Sequence, residues 1–97
     1  MFKTILFPID RSRDTQEAMP TVVEMVKLFQ SQLFLLSVED SPEPDTELEA
    51  AIAEFLNRAK ELNRAKEAFA QHAIVAKTLL RRGKPAFVIC DVADEIN

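Results

Sequence analysis

The residues best suited to chemistry are Asp10, Arg11, Ser12 and Arg13, which follow at once on the apolar run ILFPI at 5–9. A carboxylate at the end of a buried segment can accept hydrogen bonds from a ribose hydroxyl or from an amine on a base. The same residues suit a second role, because Asp10 or Ser12 can accept from the free N–H groups of a following helical turn and cap it. The local spacing leaves both open.

Other groups offer less. His72, the single histidine, has no cysteine partner and no serine at a readable spacing, so neither a metal site nor a triad forms around it. Arg81, Arg82 and Lys84 surround Gly83 and could attract phosphate, although such a run more often makes a solvated turn. Glu39, Asp40, Glu43 and Asp45 match a metal cluster only in number, since the prolines between them deny a regular ligand geometry. We expect no metal. With no nucleophile, base and orienting group readable together, we expect no enzyme. Cys90 is alone, so no intramolecular disulfide forms, and a small buried hydrophobe is the expected role over a reactive thiol.

Glycine is the most telling count. At about 7% in an average chain about seven glycines are expected, and Gly83 is the only one. Loops that cradle phosphate need several, because their N–H groups must approach the anion closely. Neither GxGxxG nor GxxxxGK[ST] can be written on this chain.

The elements that must position Asp10 follow from hydrophobic periodicity. Phe2 to Ile9 is nearly continuous in apolar residues and predicts a strand covered on both faces. Ala18, Val22, Val26 and Phe29 mark a helix, with Pro20 either kinking it or opening its main body. Gln32 to Glu39 is a second buried strand, and SPEPD after it is a loop. A long helix runs from Thr46 to about Gln71 on Leu48, Ile52, Phe55, Ala59, Leu62 and Phe69, with acids early and bases late. Within it LNRAKE occurs twice, at 56–61 and 62–67. Six residues is not a whole number of turns, so the copies cannot show the core the same face. Ile74 to Leu80 is a third strand, RRGKP a turn, and Pro85 to about Ile96 a closing helix. Phe55, Phe69 and Phe87 fall on helical stripes and are expected in the core.

The order β-α-β-α-β-α predicts parallel strands joined by right-handed crossovers, in a three-layer α/β sandwich forming one domain over residues 1–97. In such sheets ligands sit beyond the carboxyl ends of the strands. Asp10 lies there. The net charge of -4 argues against nucleic acid and anionic membranes. No apolar run approaches a membrane span, and the N-terminus lacks a secretory cleavage signature, so a cytoplasmic location is expected.

The strand ending PID before RS, the second strand ending LLSVED, the segment KTLLRRGKPAFVICDVADEI and the element order together resemble the universal stress protein family, over nearly the whole chain. In that family the first strand ends in proline or valine, aspartate and serine, and the second in leucine, histidine and valine. Here Ser37 stands in the histidine position, and Lys84 stands in the acid position before the third helix. The resemblance implies a Rossmann-like fold of the adenine nucleotide alpha hydrolase type and an ATP or other adenine-nucleotide pocket. Carried over by position, its base and ribose end comprises Pro8, Ile9, Asp10, Ser12 and Val38.

The phosphate end is different. In the family a fourth strand, a glycine-rich stretch and a fifth strand come next, whereas this sequence ends at Asn97 and looks like the first two-thirds of such a protein. The expectation is a remnant site that binds adenine nucleotides weakly. The alternative is a homo-oligomeric interaction module that binds none. With strand order 3-2-1-4-5 by analogy, the first strand becomes an edge, and we expect self-association of two copies, first strand against first strand, into a six-stranded sheet.

Overall fold

The structure, a computed structural model, describes residues 3–10, 13–40, 45 and 47–96. Its elements are β1 (Thr4–Pro8), α1 (Arg13–Phe29), β2 (Gln32–Glu39), α2 (Leu48–Ala70), β3 (Ala76–Arg82) and α3 (Pro85–Ile96). The three strands form one parallel sheet in the order β1-β2-β3. The α/β fold expected from the sequence is the fold found, with β1 at an edge.

Alternation along the strands separates the two faces. Leu33 and Leu35 are fully buried and join Phe7, Val22, Val26, Leu62 and Phe69 in the main core, under α1 and α2. Phe7 and Phe69 meet edge to face at 6.1 Å between ring centroids. The opposite face carries Leu36, which is fully buried, and α3 covers it with Val92. Arg81, on that face, reaches Glu95 of α3 at 3.5 Å. The molecule therefore has three layers.

Scarce glycine leaves a mark on the helix ends. After α1, Ser31 N–H donates to Val26 O at 3.1 Å while Gln30 takes a φ of 52°. After α2, Ile74 N–H donates to Phe69 O at 3.1 Å around Ala73 at a φ of 61°. Both are Schellman closures, and both place a side chain where glycine is favoured. Pro20 lies inside α1 and the helix continues through it.

Three expectations change. Phe69 is buried, but Phe55 and Phe87 are exposed, as are Leu48 and Ile52. The cause for α2 is length: its 23 residues span about 35 Å, whereas the 8 residues of β2 span about 26 Å. The first turns of α2 overhang the carboxyl ends of the strands and have no sheet beneath them. Within the tandem repeat, Leu56 is accordingly exposed and Leu62 buried. On α3 the inward stripe is Val88, Ile89, Val92, Ala93 and Ile96, which leaves Phe87 and Cys90 on the far side; Cys90 is exposed, contrary to expectation. Finally, β3 begins and ends two residues later than predicted, because Arg81 and Arg82 continue the ladder opposite Val38 and Glu39.

Candidate functional site

The site begins where β1 ends. Ile9 N–H donates to Leu36 O at 2.7 Å, holding the chain against β2 for one residue beyond the strand. Ile9 is buried by this and Asp10 emerges exposed. Thr15, in the first turn of α1, donates its hydroxyl to Asp10 Oδ1 at 2.6 Å. Asp10 is thus tied to the start of the helix through a side chain, and its exposed position still presents the carboxylate to the crevice. Ser12 and Arg11 lie outside the described residues.

Two cavities meet at Ile9 and Asp10. The smaller, about 250 Å³, lies at the carboxyl ends of β1 and β2, and Pro8, Ile9, Asp10, Val38, Arg58 and Ile89 help to line it. The larger, about 550 Å³, is the cleft between α1 and α2, where Thr15, Lys60, Glu61 and Arg64 accompany Ile9 and Asp10. Four of the five residues proposed from the sequence, Pro8, Ile9, Asp10 and Val38, therefore converge on one cavity.

The smaller cavity combines apolar walls with few polar groups. Arg58 is ion-paired one turn back along α2, to Glu54 at 3.2 Å, which fixes a cation at its rim. Such a site can grip a flat apolar ring and bind its polar edge or an attached hydroxyl at the carboxylate of Asp10. Sequence reasoning missed Arg58, Lys60 and Arg64, which it treated only as charges suiting the helix dipole. Their recurrence at intervals of three and four with Asn57 and Glu61 was the signal, since it puts them on adjoining faces above the strand ends.

The remaining candidates lie apart. His72 is in the turn after α2, exposed, and lines a separate cavity with α1 residues that include Met19, Val23 and Glu24. Arg81 and Arg82 are strand residues engaged by Glu95 and by buried Glu39, the latter at 3.6 Å. Among the described residues no three metal-ligating side chains cluster, and no helix is long and apolar enough to cross a membrane.

A model of the universal stress protein family matches residues 1–97. The curated relative Universal stress protein Sll1654 of Synechocystis sp. is 48% identical over 98 residues, covering 100% of this chain and 62% of that protein. The chain thus spans under two-thirds of that relative's length. Among solved structures, a universal stress protein family member from Burkholderia pseudomallei superposes with a TM-score of 0.83 at 18% identity, covering 98% of this chain and 75% of that one. A universal stress protein solved in complex with cAMP gives a TM-score of 0.76 at 13% identity, covering 98% and 70%.

Proposed function

The chain belongs to the universal stress protein family, and from that premise we propose that it is a stress-response domain whose small cavity beside Asp10 takes the adenosine portion of an adenine nucleotide. The observation that carries this reading is the convergence of Pro8, Ile9, Asp10 and Val38 on one crevice at the carboxyl ends of adjacent parallel strands. In it the base lies between Val38 and Ile89, and the Asp10 carboxylate accepts from ribose hydroxyls. The cAMP held by a structurally similar universal stress protein supports the ligand class. No catalytic step is assigned.

Phosphate adds little in this reading. The single glycine, Gly83, is in the turn before α3 and makes no phosphate loop. The nearby cations of the larger cleft, Lys60 and Arg64, are exposed. Each contributes about 0–1 kcal/mol at such a site, and Arg58 at the rim of the small cavity is already paired with Glu54, so Lys60 and Arg64 together favour ATP over adenosine by no more than about 30-fold.

Calorimetric titration of the chain with adenosine and with ATP tests this. Both are expected to bind weakly. Asp10→Ala is expected to lower adenosine affinity about 10- to 150-fold, as loss of a charged hydrogen bond does. Thr15→Val, which removes the hydroxyl that donates to Asp10 Oδ1 and keeps the carboxylate, should lower affinity less than Asp10→Ala does. Absence of binding at millimolar adenosine, or tight ATP-selective binding, would contradict the reading.

A further inference from the structure

Two neighbouring helices in this fold do not close on each other. α1 packs on β1 and α2 over β2 and β3, so both meet the sheet more than they meet one another, whereas packed helices ordinarily interdigitate at about 8–10 Å. The gap of about 550 Å³ reaches from Ile9 and Lys60 to Ala68. At Met19 it adjoins a second hollow, of about 370 Å³, that extends to Glu24 and His72. Together the two make a groove along the helices.

The groove is apolar below and cationic at one end. On its floor Ile9 is buried, and Met19, Ala65 and Ala68 are half-buried. At the carboxyl end of the sheet stand Lys60 and Arg64, one helical turn apart on α2, both exposed and neither in an ion pair among the described residues. The acids beside them are engaged elsewhere: Asp10 accepts from Thr15, and one carboxylate oxygen of Glu61 is buried in the wall.

From this arrangement we propose that the α1–α2 groove is a second ligand site, which takes a single-chain fatty acid with its carboxylate on Lys60 and Arg64 and its alkyl chain along Met19, Ala65 and Ala68 toward His72. Charge complementarity selects the head group. A small inorganic anion would leave the apolar floor wet, and a neutral hydrocarbon would leave both cations without a partner. The floor selects a chain, because Ala65 and Ala68 leave room beside α2 and the unbranched Met19 adapts to a flexible ligand. All of these residues belong to the end of β1, to α1, to α2 and to the turn after it, on the face of the sheet away from α3. The inference does not depend on nucleotide binding in the small cavity.

Calorimetric titration of the intact chain with octanoate, decanoate and laurate, each below its micelle concentration, reads the contribution of the alkyl chain. Each step of two methylenes should tighten binding about 4- to 15-fold, the upper figure corresponding to complete burial. Dodecyltrimethylammonium, with the chain length of laurate and the opposite charge, should bind more weakly than laurate. Lys60→Gln combined with Arg64→Gln should lower laurate affinity by up to about 30-fold and narrow that difference. Ala68→Leu fills the floor and should weaken laurate about 5- to 150-fold, the cost of overpacking, with far-UV circular dichroism reporting the fold. A readout that needs no variant comes from labelled methionine methyl groups: Met19 should shift on addition of laurate, and Met25, outside both hollows, should not. No binding of laurate, equal binding of the cationic amphiphile, or an unmoved Met19 methyl would overturn the proposal. So would affinity that survives Ala68→Leu, since the chain would then lie on another apolar surface, such as the overhang of α2.

Discussion

Replacing Ser37 with alanine should stabilise the protein. Ser37 is fully buried in β2, between Ile9 and Leu80 on the α2 side of the sheet, and its Oγ has no hydrogen-bond partner among the described residues. Burying a hydroxyl without a partner costs about 1–3 kcal/mol. Alanine removes that cost, leaves a void of a single atom, and gives back a few tenths of a kcal/mol through its lower strand propensity. The net expectation for Ser37→Ala is about 1 kcal/mol of added stability, or about 4–8 °C in melting temperature for a domain of this size. Urea unfolding at one fixed protein concentration is the assay, since any association would make apparent stability concentration-dependent. The midpoint should rise by about 0.3–1 M at unchanged slope. An unchanged or lowered midpoint would show that the hydroxyl is satisfied and that the strand has no strained polar group at this position.

Backbone conformation decides the sign of two further substitutions. Ala73→Gly should stabilise the end of α2 by about 0.5–1 kcal/mol, because Ala73 sits at a φ of 61°. Gly83→Ala should destabilise by about 1–3 kcal/mol, since Gly83 has a φ of 141° and an added Cβ would meet Val88 Cγ2 at 2.8 Å; thermal melts of the two variants should move in opposite directions. Phe69→Ala should cost about 3–5 kcal/mol, because the ring is fully buried against Phe7, and a loss below about 1 kcal/mol in urea would place Phe69 outside the core.

The sequence was most legible where charge and proline bound an apolar run. β2 and α3 begin and end as read, one between Gln32 and Glu39, the other opening on Pro85. β3 was displaced because Arg81 and Arg82 look like turn residues in isolation, and only their pairing with Val38, Glu39 and Glu95 keeps them in the ladder and on the sheet. Periodicity alone misplaced Phe55 and Phe87, since a helical stripe tells which residues share a face and says nothing of whether an element lies opposite that face. The same limit applied to the site. The end of β1 could be read as a candidate ligand position from Asp10, and Pro8, Ile9 and Val38 followed from the resemblance. The wall supplied by Arg58 and Ile89 depends on how α2 and α3 cross the strand ends, which no local pattern states.

Amide chemical shifts recorded while adenosine is titrated into the isotopically labelled chain test the proposed function most directly. Movement should concentrate at Ile9, Asp10, Val38 and Ile89, around the small cavity, and diminish in Asp10→Ala. Shifts confined to Lys60 and Arg64 in the α1–α2 cleft, or no shifts at millimolar adenosine, would contradict the assignment of the crevice beside Asp10 as the nucleoside site.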